Sequence, residues 1–238
     1  MSLAVIWHDL ECGSYEADLD LWRDMAATAG GPVLDIGAGT GRVALDLARR
    51  GHNVVALDID DELLGALRNR SQGCAVEVIC DDGCAFALGR RFALVLVPMQ
   101  TIQLLPGAQQ RTALLTCARD HLAPGGTMAI AIADALEGYD ADHDVPPVPD
   151  VCEIDGALYS TRPVRVVDNG EQVLIERQRE IVDGAGTRSQ STDVVRLARV
   201  TARELESEGR SAGLTVRPRL AVAATEEYVG STVVMFGG

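Results

Sequence analysis

Five apolar runs divide the first 133 residues, at 33–36, 54–57, 75–80, 92–97 and 127–133. Short runs rich in Val, Ile and Leu and bounded by Gly, Pro or Asp predict strands buried on both faces of a parallel sheet. Between them apolar residues recur at helical spacing: Leu19, Trp22, Met25 and Ala26 predict a helix over 16–30, and residues 42–50, 61–67 and 109–122 repeat the pattern. Residues 1–16 carry little helical pattern. Alternating strands and helices predict an α/β fold, a doubly wound, right-handed sheet with helices on both faces.

The pattern changes after residue 134. Residues 138–151 hold Tyr139, four aspartates, His143 and three prolines, which predicts an irregular surface loop. Three runs that alternate apolar with charged residues follow, at 157–167, 172–182 and 188–199, separated by Asp168-Asn169-Gly170 and Asp183-Gly184-Ala185-Gly186. They predict an antiparallel sheet with one packed and one wet face. Thr201-Ala202-Arg203-Glu204 has the form of a capping box and opens a helix that Gly213 ends. Residues 214–224 and 230–236 predict a closing antiparallel pair. The chain reads as a single domain, residues 1–238, with a β-rich insertion at 138–200.

Chemistry concentrates where the first strand meets the first helix of the sheet, in Val33-Leu34-Asp35-Ile36-Gly37-Ala38-Gly39-Thr40-Gly41. Alternating glycines permit a tight turn and a close approach of backbone N–H groups to a ligand at a helix N-terminus. A dinucleotide fingerprint would need its third glycine where Arg42 stands, and a phosphate loop would need a lysine, of which the chain has none. The residues match Asp/Glu-x-Gly-x-Gly-x-Gly, so the sequence resembles the class I S-adenosylmethionine-dependent methyltransferases. The turn Leu122-Ala123-Pro124-Gly125-Gly126 before an apolar strand adds to that resemblance, although helix termination alone also accounts for it.

The resemblance implies a seven-stranded Rossmann-like sheet, its last strand antiparallel, with S-adenosylmethionine bound at Asp35, Gly37, Ala38, Gly39 and Gly41. Asp58, at the tip of the second strand and 19 positions beyond Gly39, becomes the ribose carboxylate, and Ile59 an apolar surface for the adenine. Asp60 and Asp61 are explained by the start of the next helix. At the third strand end Asp81, with Asp82 as runner-up, would receive the adenine amino group; an ordinary Asp-Asp-Gly turn is the alternative. Val97 ends the fourth strand, which in the family faces the methyl donor. The following Pro98-Met99-Gln100 lacks the Asn-Pro-Pro-Tyr pattern of enzymes that methylate DNA adenine or protein glutamine. Gln100 and Gln103 orient a substrate or cap that loop. Tyr15 is the aromatic residue to set against the sulfonium, ahead of His8 and Trp7, unless it merely anchors the N-terminal helix as Trp22 does.

Composition narrows the partners. Thirty-five acidic against 21 basic residues give a formal net charge of −14, which disfavours a nucleic-acid substrate, and all the positive charge is arginine. Without lysine there is no Schiff-base or lysine general-base chemistry. The six cysteines form no CxxC pair, so reduced thiols and no metal site are expected. No run is long enough to span a membrane and the N-terminus lacks a signal-peptide pattern, so a cytoplasmic protein is expected. The expected function is methyl transfer to an N or O atom of a small molecule; the catalytic residue stays open, with Tyr15, Gln100, Tyr139 and His143 as candidates and the last two as candidates for acceptor contact. A NAD-dependent oxidoreductase and a non-catalytic S-adenosylmethionine-binding domain are the alternatives. The insertion is expected to form a substrate lid or a homodimer face, because little other apolar sequence remains to cover its packed side.

Overall fold

The computed structural model describes residues 1–133, 136, 138–142, 147–225 and 228–238, so His143 lies outside the described residues. The chain opens with α1 (Leu3–His8), whose first turn is capped by the Ser2 hydroxyl accepting from the Val5 N–H, and a π-helical turn (Asp9–Gly13). This corrects the expectation of a segment without helix. Six residues are too few for periodicity to register.

Then follow α2 (Leu19–Ala29), β1 (Val33–Ile36), α3 (Arg42–Arg49), β2 (Val54–Asp58), α4 (Asp61–Arg70), β3 (Val76–Cys80), β4 (Phe92–Val97), a 3-10 turn (Thr101–Leu104), α5 (Ala108–Asp120) and β5 (Leu122–Ile132). The insertion contributes β6 (Tyr139–Asp140), β7 (Asp150–Ile154), β8 (Ala157–Asp168), β9 (Gln172–Val182) and β10 (Arg188–Ala198). The chain ends with α6 (Ala202–Ser211), β11 (Thr215–Val222) and β12 (Ser231–Gly237). The segment expected as a plain loop therefore holds β6 and the start of β7, the latter aligned on β8 from Asp150↔Thr161 to Ile154↔Ala157. Its prolines lie before β7 and do not interrupt it.

Two compact units result, Tyr15–Ala135 with Val200–Gly238, and Met1–Ser14 with Leu136–Arg199. The larger unit is a seven-stranded sheet of order β11-β12-β5-β4-β1-β2-β3, in which β12 runs antiparallel to both neighbours. Alternate residues of each central strand feed opposite cores. Leu34, Val55, Val95 and Ile130 pack with Leu114 and Leu115 of α5 and Leu205 of α6, whereas Val33, Val54, Leu94 and Ala129 pack with Trp22 of α2, Leu47 of α3 and Leu67 of α4. Helices on both faces follow from central strands that are apolar on both sides. Asp60 caps α4 through the Glu62 and Leu63 N–H groups, and Thr201 and Glu204 form the capping box of α6.

The smaller unit is the antiparallel sheet β10-β9-β8-β6, with β7 also on β8. The N-terminal segment belongs to it. Trp7 meets Tyr159 edge-on at 5.6 Å and lies 5.3 Å from the Arg179 guanidinium, while Glu11 takes two hydrogen bonds from Arg179 and one from Thr161. The packed side of the insertion sheet thus has a cover within its own unit, which the hydrophobic pattern of residues 138–200 alone does not reveal.

Candidate functional site

Parallel strands of a doubly wound sheet present their carboxyl ends together, beside the point where strand order reverses. Here the reversal falls between β1 and β4, and Asp35, Asp58, Asp81 and Val97 stand at or beside the ends of β1, β2, β3 and β4. The larger unit by itself brings together most of the residues expected to hold the cofactor.

Asp58 is fixed by two backbone donors, Gly39 N–H at 2.7 Å on one oxygen and Asp60 N–H at 3.0 Å on the other. Each oxygen keeps a further lone pair, so the carboxylate is oriented but not exhausted. Ile59 beside it is 72 % exposed, an apolar side chain left open at the edge of the site. Asp81 is exposed and, among the described residues, accepts only the Asp82 N–H at 2.8 Å, whereas Asp82 holds the turn through the Cys84 N–H at 2.8 Å. The two carboxylates therefore differ in role: Asp82 shapes the loop and Asp81 is available.

The glycines act differently from the simple picture of open amides. Gly37 and Ala38 donate to the Leu57 carbonyl, Gly39 to Asp58 and Gly41 to the Ala38 carbonyl, so these N–H groups bind the loop to β2 and to itself. All three glycines have positive φ, 77°, 54° and 95°. A Cβ on Gly37 would overlap the Thr101 side chain, and one on Gly41 would overlap Leu67. Two of the three glycines are required by packing as well as by conformation.

Asp35 is buried at 1 % exposure. Its carboxylate accepts the Ala44 N–H, in the first turn of α3, while Oδ1 is shielded from solvent and has no hydrogen-bond partner among the described residues. Burial pushes its pKa up to about 7; Arg42 opposes that shift and Asp58 adds to it. A buried acceptor with a free lone pair is costly unless a donor, best a cation, completes it.

Arg42, at the position where a dinucleotide loop would have glycine, makes a bidentate pair with the buried Asp18 at 2.5 and 2.8 Å and donates to the Tyr15 carbonyl at 2.7 Å. Asp18 also accepts the Trp22 indole N–H at 2.7 Å. No local pattern could reveal this network, because its members lie 24 residues apart in sequence. The Tyr15 ring meets Arg42 at 5.1 Å and Tyr228 at 4.9 Å, so the cation it touches is the chain's own. Burial, and then Asp18, raise the Tyr15 pKa.

After β4, Val97 is fully buried, Met99 has φ 53° and the Gln100 side chain has no partner among the described residues. Gln103 is 2 % exposed and is committed to the backbone of Ala133, which assigns it a structural part and leaves Gln100 as the open amide of the pair. Tyr139 belongs to the smaller unit, on β6 against Val166, with a shielded hydroxyl that has no hydrogen-bond partner among the described residues.

The fold is that of the class I S-adenosylmethionine-dependent methyltransferases. The sugar N-methyltransferase KedS8 from Streptoalloteichus superposes with a TM-score of 0.77 at 17 % identity, covering 100 % of this chain and 92 % of that one. Residues 33–126, from β1 into β5, match the family described as Methyltransferase domain. Among curated relatives, the cypemycin N-terminal methyltransferase of Streptomyces is 31 % identical over 115 residues, 48 % of this chain and 47 % of that protein. A tRNA1(Val) (adenine(37)-N6)-methyltransferase of Bacteroides fragilis is 35 % identical over 85 residues, 32 % of this chain and 35 % of that protein. The chain thus spans about half the length of the first relative and about a third of the second. No described helix is long and apolar enough to cross a membrane.

Proposed function

We propose that the chain transfers a methyl group from S-adenosylmethionine to a nitrogen or oxygen atom of a small molecule. The observation that carries this reading is the free Oδ1 of Asp35, a buried acceptor within the glycine-loop site that calls for a cation. S-adenosylmethionine supplies, when bound, a methyl group already activated on a sulfonium, beside an ammonium that answers such an acceptor. The other groups suit the same ligand. Asp58 has lone pairs for the two ribose hydroxyls, Ile59 offers the adenine an apolar face, and Asp81 has an oxygen for its amino group.

With an activated donor, the protein's task is to hold the acceptor in line with the methyl carbon. Such positioning contributes on the order of 7–11 kcal/mol without any acid or base. Val97, the last residue of β4, and Gln100, in the loop after it, are the residues we assign to that end of the site. The oxidoreductase alternative finds no support: Arg42, locked to Asp18 and the Tyr15 carbonyl, stands where a pyrophosphate-binding loop needs a bare glycine.

A small acceptor is favoured over nucleic acid by the net charge of −14, which opposes approach of a phosphate backbone. The superposed enzyme that methylates a sugar nitrogen is consistent with that choice. Titration calorimetry with S-adenosylmethionine and with NAD, followed by transfer of a labelled methyl group to a panel of amino sugars, hydroxylated metabolites and unmodified tRNA, tests the proposal. Binding of S-adenosylmethionine and label in a small molecule is the expected outcome. Label in tRNA alone refutes the acceptor class, and saturating cofactor binding with no acceptor in any class favours a non-catalytic domain.

A further inference from the structure

The chain leaves β4 through Pro98, Met99 and Gln100 and enters the 3-10 turn Thr101–Leu104. Met99 sits at φ 53°, a left-handed conformation that a non-glycine residue keeps only where its surroundings enforce it. Two side chains hold the loop that carries it. The Thr101 hydroxyl donates to the Pro98 carbonyl at 2.9 Å, closing the turn around Met99, and the same side chain occupies the space that a Cβ on Gly37 would need. Gln103 reaches past the end of β5: its Nε2 donates to the Ala133 carbonyl at 3.1 Å and its Oε1 accepts the Ala133 N–H at 2.8 Å. A primary amide thus takes both backbone groups of one residue, as a neighbouring strand would, and extends the β4–β5 pairing beyond its last register pair, Val97↔Ile130.

We propose that Gln103 is the positioning residue of this loop, setting where Met99 and Gln100 stand relative to the bound cofactor without touching cofactor or acceptor itself. The proposal rests on the glycine loop being the S-adenosylmethionine site. Thr101 seats the loop on Gly37 at one end, and the Gln103 clamp ties it to β5 at the other. Only an amide, or a group with one donor and one acceptor in the same geometry, can complete the clamp.

The test uses the full chain labelled with 13C at the methionine methyls, the Met99 signal being assigned by its loss in Met99→Leu, and S-adenosylhomocysteine as the ligand probe. In the native protein the Met99 signal is shifted from that of unstructured methionine and moves when S-adenosylhomocysteine is added. Gln103→Ala moves the free signal to the unstructured position and abolishes the response, while Kd for the probe stays within about threefold, since no cofactor contact is removed. Gln103→Glu supplies a decisive second variant. Ionised, its carboxylate accepts from the Ala133 N–H but opposes the Ala133 carbonyl; protonated, it donates and accepts like the amide. Lowering the pH therefore returns the Met99 signal of Gln103→Glu to the native position and leaves Gln103→Ala unchanged. A native Met99 signal in Gln103→Ala, or no difference between the two variants with pH, overturns the proposal. A native protein that binds no S-adenosylhomocysteine overturns the cofactor reading instead, and the Met99 signals of the free variants still decide the clamp.

Discussion

Asp35 is where burial and charge meet most sharply. Its folded pKa of about 7 lies above the ordinary 3.8, so the folded chain holds a proton that the unfolded chain has released over that interval. The sign is therefore that this group favours the free fold fully below pH 3.8 and loses that contribution as pH rises through 7. A cofactor cation against Oδ1 reverses the preference, because it stabilises the ionised form. Affinity for S-adenosylmethionine should consequently rise with pH up to about 7, by at most about tenfold per unit, and then level off; Asp35→Asn should remove the slope. Calorimetry across that range, in buffers of different ionisation enthalpy, reads both the affinity and the released proton. A native protein whose affinity is flat from about pH 5.5 to 8 would falsify the coupling. Asp58 makes a simpler prediction: Asp58→Ala should weaken binding by roughly 1.5–3 kcal/mol, and Asp58→Asn, which keeps an acceptor for the Gly39 N–H, by less. Near-native affinity in Asp58→Asn beside a full loss in Asp58→Ala would assign the effect to the loop anchor, and equal losses would assign it to the ribose. Both carboxylates stand out in the sequence, Asp35 as the charge within an apolar strand and Asp58 as the charge that ends the next one. Arg42 was legible only as a departure from the dinucleotide pattern, since its partner Asp18 lies 24 residues away, just before α2.

At the scale of elements, the glycine loop separates two kinds of constraint that look alike in sequence. Gly37 and Gly41 are excluded from carrying a side chain by Thr101 and Leu67, so Gly37→Ala and Gly41→Ala should lower the unfolding midpoint as well as the affinity. Gly39 has φ 54° and donates to Asp58, the carboxylate proposed for the ribose. Gly39→Val forces a β-branched residue into that region and displaces the Asp58 anchor, so binding of S-adenosylmethionine should fall below detection while most of the secondary structure persists. Circular dichroism beside calorimetry separates the two effects, and native affinity in Gly39→Val removes this loop from the cofactor site. The elements themselves were readable where period and punctuation agree: β4 runs over the six apolar residues that predict it, and α4 and α6 begin at their expected caps. α1 and β7 were missed for opposite reasons. The first is too short for periodicity, and the second hides beside proline-rich sequence that reads as a loop.

At the scale of the whole molecule, membership of a compact unit is decided by tertiary contacts, which a pattern along residues 138–200 does not record. The smaller unit recruits the first 14 residues through Trp7 and Glu11, which lie more than a hundred residues from their partners. Glu11 is the joint on which this depends. Its side chain is 10 % exposed, it holds Arg179 through bonds of 2.8 and 2.9 Å, accepts from Thr161 at 3.0 Å, and stands 3.6 Å from Arg177. Removing it leaves two partly buried guanidinium groups, each with one remaining carboxylate, Asp193 for Arg179 and Asp150 for Arg177. A broken buried pair costs about 3–5 kcal/mol, and the residual partners bring the expected loss for Glu11→Ala to roughly 2–4 kcal/mol. Because the larger unit has its own two cores, that loss should fall on one part of the chain. Amides of β8 and β9 should lose hydrogen-exchange protection in Glu11→Ala, while those of β1, β2 and β4 keep theirs, and affinity for S-adenosylmethionine should stay near native. A drop spread evenly over both sets of strands would instead mean that the units unfold as one, and the N-terminal segment would then have to be counted among the supports of the cofactor site.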